Sequence, residues 1–162
     1  MTTSLGELSA SPAVSVILPV LNEEPHLEES VSAILSQDYL GVFEVILALG
    51  PSRDRTDEIA RALAAGDNRV KLVANPTGKT AAGLNLAIAT SNSPIIVRVD
   101  GHAKIPNNYL SLAVEILRKT GAVNVGGVMA AEGVTNFEIA VARAMRSALG
   151  VGSSRFNTGG EA

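Results

Sequence analysis

The chain has 162 residues, 46% of them hydrophobic and 18% charged, with no cysteine, long enough to bury one core without disulfide staples. A formal net charge of −3 and an aromatic content of 3% give neither the basic footprint nor the stacking platforms that nucleic acid requires, so no nucleic-acid partner is expected. No apolar run approaches the roughly 20 residues of a membrane helix, and the first dozen residues lack a signal peptide's basic start and apolar centre. These features predict a cytoplasmic protein, any contact with the cytoplasmic face of a membrane being made by segments outside this chain.

Residues 1–13 are small and polar without periodicity and predict a flexible leader; residues 14–162 predict one domain. Val14 to Val20 is a β-branched first strand whose Pro19 falls near its end, where a missing backbone donor costs least. Asn22 is expected to cap a helix with Pro25 and acidic residues in its first turn and Leu27, Val31, Ile34 and Leu35 as its apolar stripe. Phe43 to Leu49 predicts the second strand, Gly50-Pro51-Ser52 a turn, and Asp54 or Thr56 the cap of an Ala-rich helix running to about Ala65.

Arg69 to Val73 predicts a third strand, followed by a turn at Asn75-Pro76-Thr77-Gly78 and a helix from Thr80 to Ala89 presenting Ala81, Leu84 and Ile88. Ile95 to Val99 is a fourth, buried strand. Pro106-Asn107-Asn108 then opens a helix with Leu110, Ala113, Val114 and Leu117 at helical spacing and Gly121 at its end. A fifth strand is predicted from Val123 to Met129, and Thr135-Asn136-Phe137-Glu138 reads as the capping box of a last helix. Regular alternation of strand and helix implies a parallel α/β sheet with helices on both faces. The glycine-rich Gly150 to Ala162 leads into no further element, so the chain is expected to be the N-terminal portion of a longer protein.

Two familiar nucleotide motifs fail. The first strand leads into Pro-Val-Leu-Asn-Glu-Glu, without the glycines of a dinucleotide fingerprint. Gly78-Lys79-Thr80 imitates the end of a P-loop, but Val73 stands where the first glycine belongs, and inside a predicted strand.

The stretch that looks like a site is Ile-Ile-Val-Arg-Val-Asp-Gly-His, residues 95–102. In open parallel sheets ligands bind outside the carboxyl ends of the strands, where Asp100 and His102 are placed to hold a metal or phosphate, Gly101 leaving the bend between them unobstructed. These residues also have a purely structural reading, with Asp100 capping the next turn and His102 satisfied as a polar side chain. By strand alternation Arg98 shares a face with Asp100 and either orients it or pairs with Glu44.

The strand at 14–20 with Pro19 and Asn22-Glu23, the segment Lys79 to Asn85, and Asp100-Gly101-His102 together resemble the family 2 glycosyltransferases of the GT-A fold. The resemblance spans roughly Val14 to Met129. It implies a Rossmann-like, mainly parallel sheet, here truncated after the fifth strand and following helix. It also implies metal-assisted, inverting transfer of a sugar from a nucleoside diphosphate sugar donor to an acceptor hydroxyl on a saccharide or lipid-linked acceptor, in polysaccharide or glycoconjugate synthesis.

By the same resemblance the donor would meet Pro19, Leu21, Asn22, Glu23, Gly50, Lys79, Asn85, Asp100 and Gly101. Asp100 and His102 would hold Mn2+ or Mg2+ at the leaving group, Asp-Gly-His standing where the family has Asp-x-Asp. Asn22, Glu23 and Lys79 also have plain readings, as a helix cap, a dipole-complementing acid and a solvated cation. Leu49-Gly50-Pro51 replaces the acidic residue that usually reads the base, so no nucleobase is assigned. His26 is expected to be solvated and Glu161 is not taken as catalytic; no general base is assigned. A nucleotidyltransferase is the enzymatic alternative, but it would want a glycine-rich basic loop after the first strand; a non-catalytic nucleotide-binding fragment is the other.

Overall fold

The computed structural model describes residues 9–127. Its elements run β1 (Val14–Val20), α1 (Leu27–Leu35), β2 (Phe43–Leu49), α2 (Thr56–Gly66), β3 (Val70–Ala74), α3 (Thr80–Thr90), β4 (Ile95–Arg98) and α4 (Tyr109–Thr120). The chain divides into two compact units, residues 1–123 and 124–162; all eight elements belong to the first.

The four strands form one parallel sheet in the order β3-β2-β1-β4. Alternation along β1 explains the layers. Val14, Val16, Leu18 and Val20 face a core shared with Leu27, Val31 and Ile34 of α1, Ala60 of α2, and Leu110 and Val114 of α4. Ile17, on the other face, packs with Ile46, Ala48 and Ala87 of α3. Each fully buried Leu, Ile or Val contributes about 1.5–3 kcal/mol, and β1 and β2 are buried almost throughout, so this pair anchors the fold. Helices on both faces of a parallel sheet are what the alternating pattern predicts.

A polar thread crosses the α3 face. Ser15 is fully buried, and its Oγ lies 2.5 Å from Glu44 Oε1 while accepting from the Ser91 hydroxyl at 2.7 Å. Lys71 Nζ closes the far side of Glu44 at 2.5 Å. Burial raises the pKa of Glu44, but the hydrogen bonds from Lys71 and Ser15 and the Lys71 charge outweigh it and leave the carboxyl below its usual range.

Several local expectations are corrected. Asn22 does not cap α1: it takes φ 55°, a left-handed conformation that Asn tolerates, whereas an N-cap is extended. The chain then turns through His26 N–H to the Glu23 carbonyl at 3.0 Å, and α1 begins at Leu27. In α3 Leu84 packs toward the sheet as expected, beside Gly83 and Ala87, whereas Ala81 and Ile88 are exposed. A Cβ on residue 83 would come within 3.3 Å of the Ala48 methyl, so the glycine lets this helix sit close.

Residues 123–127, the start of the predicted fifth strand, are not in a strand; Gly126 and Gly127 weaken strand formation there. The rest of that strand, the capping box at 135–138 and Glu161 lie outside the described residues. The described end of the expected leader is tied down, Tyr39 Oη donating to the Pro12 carbonyl and Arg118 to that of Ala10. At Gly121 the prediction holds: φ 66° ends α4, with Arg118 and Lys119 in the last turn complementing the helix dipole. Among the described residues no helix is long and apolar enough to cross a membrane.

Candidate functional site

Strand order reverses between β1 and β4. The β1 chain goes on to β2 on one side, while β4 returns to pair on the other, with Val14 opposite Ile95 and Ile17 opposite Arg98. Crevices at such reversals, beyond the carboxyl ends of the strands, are where α/β sheets bind ligands. Two loops leave β1 and β4 side by side here, Leu21 to His26 and Val99 to Asn108. The loops after β2 and β3 complete the rim.

The β1 and β2 loops are laced together by backbone-to-side-chain bonds. Asn22 N–H donates to Ser52 Oγ at 3.1 Å, and Arg53 N–H donates to Asn22 Oδ1 at 2.8 Å. Glu23 N–H donates to Thr56 Oγ1 at 2.8 Å, Glu24 N–H to Asp54 Oδ2 at 3.2 Å, and Arg55 N–H to Glu24 Oε2 at 3.0 Å. Asp54 also accepts from both the amide and the hydroxyl of Thr56. The Thr56 hydroxyl foremost, and then these amides, hold the Asp54 carboxyl below its usual pKa.

The β3 loop is organised by Asn75, which is 2% exposed. Its side chain donates to the Lys79 carbonyl at 3.1 Å and accepts from Thr77 at 2.9 Å. Gly78, at φ 65°, lies against Pro51, and Gly50 lies 3.3 Å from the Gly78 Cα by its missing Cβ. Leu21, Gly50, Pro51 and Gly78 therefore meet as a compact floor.

On the β4 side, Arg98 and Asp100 share a face as alternation requires. Arg98 Nε and Nη2 donate to Asp100 Oδ1 at 3.1 and 3.0 Å, which settles the partner of Arg98 as Asp100; Lys71 takes Glu44 instead. Ala103 N–H donates to the Asp100 carbonyl at 2.9 Å, closing the turn over Gly101 and His102. His102 Nδ1 lies 3.0 Å from Glu23 Oε1, so a residue after β1 and one after β4 touch across the reversal.

Pro19 is the last residue but one of β1, opposite Ala48, and Leu21, Asn22, Glu23, Gly50, Asp100, Gly101 and His102 all lie at this carboxyl edge. Lys79 opens α3 from the same edge, exposed. Asn85 is not brought in: it lies two residues from both Gly83 and Ala87, roughly 200° around the helix from the sheet, and is exposed. Sequence reasoning missed the Asn75 hub, whose burial nothing in a turn-rich stretch announces, and the Glu23 to His102 contact, between residues 79 positions apart.

Among the described residues no cluster of three or more His, Asp or Glu side chains could hold a metal. The Asp100 and His102 side chains are 46% and 62% exposed, offering one carboxylate and one imidazole to a ligand that brings further donors. A hard oxygen beside a nitrogen suits Mn2+ better than it suits Mg2+.

The family model for glycosyl transferase family 2 matches residues 15–160. The succinoglycan biosynthesis protein ExoA of Rhizobium meliloti is 35% identical over 158 residues, 96% of this chain and 48% of that protein. Glycosyltransferase AglE of Haloferax volcanii is 34% identical over 121 residues, 74% of this chain and 40% of its own length. The chain thus spans about half or less of the curated relatives it matches.

Among solved structures, the mannosyltransferase PcManGT from Pyrobaculum calidifontis, in complex with GDP-Man and Mn2+, gives a TM-score of 0.61 at 31% identity, over 68% of this chain and 35% of that one. S. aureus TarS in complex with UDP gives 0.60 at 21% identity, over 74% and 40%, a likeness of fold. The parallel sheet with its helices is that of the GT-A glycosyltransferases. With the family model matched from β1 onward, the chain belongs to glycosyl transferase family 2.

Proposed function

We propose that this chain is the donor-binding part of a glycosyltransferase that takes a nucleoside diphosphate sugar and transfers the sugar, with inversion, to an acceptor hydroxyl on a saccharide or lipid-linked acceptor. The observation that carries the reading is the meeting of the Leu21 to Glu24 loop and Asp100-Gly101-His102 where strand order reverses. Two further findings support it: family membership, and a 31% identical structure that holds GDP-Man and Mn2+.

In this reading the nucleoside lies beside Pro19, Leu21, Asn22 and Gly50, and its diphosphate lies between Lys79 and the Asp100 turn. Gly101, buried in that turn, leaves room for Glu23, a Cβ there meeting Glu23 Cγ at 2.9 Å. Asn85 drops out of the donor set, because it lies on the solvent side of α3. Asp100 and His102 would hold a divalent cation, and bound there it offsets the charge that grows on the diphosphate as the sugar leaves. Among the described residues only Asp100 and His102 offer themselves as ligands, so the donor's phosphates would supply further ones and metal and donor would bind together.

The test is calorimetric titration of UDP and GDP sugars into the chain, with Mn2+ and with chelator. Metal-dependent binding by the parent and its loss in Asp100→Ala, with folding intact by circular dichroism, is the expected result. Metal-dependent affinity unchanged in that variant would overturn the assignment.

A further inference from the structure

The contact between His102 and Glu23 is built, not incidental. Glu23 is fixed at its backbone, its amide donating to Thr56 Oγ1 at 2.8 Å and its carbonyl accepting from His26 and Leu27 at 3.0 and 2.9 Å. Its side chain is only 17% exposed, whereas that of His102 is 62% exposed. The carboxylate thus lies beneath the imidazole, away from the solvent from which a donor would enter. Gly101 makes this possible, since a Cβ there would stand 2.9 Å from Glu23 Cγ.

A carboxylate only accepts hydrogen bonds, so the proton of the 3.0 Å contact sits on Nδ1 of His102. The lone pair is then on Nε2, the other ring nitrogen of a side chain that is mostly exposed. A histidine that ligates a metal through one nitrogen commonly donates its other N–H to a carboxylate, which fixes ring and tautomer and raises its basicity.

We propose that Glu23 is a positioning residue for His102, holding the imidazole in the Nδ1–H tautomer so that Nε2 is presented to the metal, rather than a residue that contacts the nucleoside. The proposal rests on the assignment of Asp100 and His102 above. It gives the β1 loop a part in metal binding that its sequence, read as a nucleoside contact, does not suggest. The lacing of that loop to Ser52, Asp54 and Thr56 becomes the support of a metal ligand.

The test has one readout that needs no metal. The chain has two histidines, so nitrogen-correlated NMR of the imidazoles at pH 8, with His26→Gln to assign the signals, reports the tautomer of His102 directly. The parent is expected to show Nδ1–H, Glu23→Gln to keep it because the amide oxygen still accepts, and Glu23→Ala to move toward Nε2–H. The second readout is UDP and GDP affinity with Mn2+ and with chelator. Glu23→Ala should lower the Mn2+-dependent gain about 10- to 100-fold and leave the affinity in chelator within about twofold.

An unchanged Nδ1–H tautomer in Glu23→Ala would overturn the proposal. So would an equal loss of affinity in chelator, which would make Glu23 a nucleoside contact. Parent binding indifferent to both Mn2+ and His102→Ala would instead overturn the metal assignment itself, and with it this role for Glu23.

Discussion

The Arg98 guanidinium grips a single oxygen of Asp100, with Nε 3.1 Å and Nη2 3.0 Å from Oδ1. Both side chains are about half exposed, and exposed ion pairs contribute at most about 1 kcal/mol. The pair therefore serves the site more than the fold.

A cation approaching Asp100 meets the positive charge of Arg98 as well as the carboxylate. Arg98→Gln should raise affinity for Mn2+ in the absence of nucleotide several-fold, while changing the unfolding free energy by less than about 1 kcal/mol. Calorimetry with Mn2+ alone and urea denaturation measure the two. A fall in Mn2+ affinity would mean that Arg98 orients Asp100 for the metal rather than competing with it.

His102→Asp restores two carboxylates to the turn. Added charge and a harder ligand favour the harder ion, so metal-dependent nucleotide binding should persist with its preference moved from Mn2+ toward Mg2+. Titration with each metal in parallel gives the ratio. An unchanged ratio would show that His102 does not ligate.

Asn22→Ala combines two penalties. Alanine at φ 55° carries about 1–2 kcal/mol of left-handed strain, and Arg53 N–H loses its acceptor. We expect a stability loss of about 1–3 kcal/mol in denaturant. Asn22→Gly, free of the strain, should lose less and so separate the two contributions.

The turn between α2 and β3 gives a pH dependence. Arg69 donates to Asp67 through its amide, Nε and Nη2 at 2.8–3.3 Å, and its guanidinium lies 4.9 Å from the Phe43 ring centroid. The Arg69 side-chain hydrogen bonds chiefly bring the Asp67 pKa down to about 2, from an unfolded value near 3.9. Because the folded pKa is the lower, this contribution is complete above about pH 4 and is lost as pH falls toward 2. Asp67→Asn should therefore be less stable than the parent at pH 7, with the gap closing between pH 4 and pH 2 in denaturation curves.

How much of this was legible in the chain depends on what each residue answers to. The ends of β1 and β2 were readable because Val14 to Val20 and Phe43 to Leu49 are apolar runs bounded by loop residues, and burial in a parallel sheet demands such runs. The end of α4 was readable because Gly121 supplies a left-handed cap. The start of α1 was not: Asn22 suits a cap and a left-handed turn equally, and the Ser52 and Arg53 bonds that decide between them come from another loop.

The face of α3 was hidden for a different reason. Its sequence is apolar nearly all round, so helical period has no side to prefer, and close packing of Gly83 on Ala48 decides. In the candidate site, the position of Asp100 and His102 at the carboxyl edge was readable from their place after a strand. Their holders, Arg98 and Glu23, divide the same way. Two residues along one strand is a spacing that alternation predicts, whereas the approach of Glu23 depends on the pairing of β1 with β4.

At the carboxyl edge three glycines stand in tight places: a Cβ on Gly50, Gly78 or Gly101 would lie 3.0 Å from Leu21, 3.1 Å from Pro51 or 2.9 Å from Glu23. At the opposite end of the sheet the picture is mixed: Gly66 has nothing within 4 Å, whereas a Cβ on Gly41 would lie 2.5 Å from the Tyr39 ring. The floor of the rim is therefore set by backbone fitted against Leu21, Pro51 and Glu23, with the exposed side chains of Lys79, Asp100 and His102 around it. These floor contacts are made without any ligand, so that part of the site spends little ordering entropy on docking.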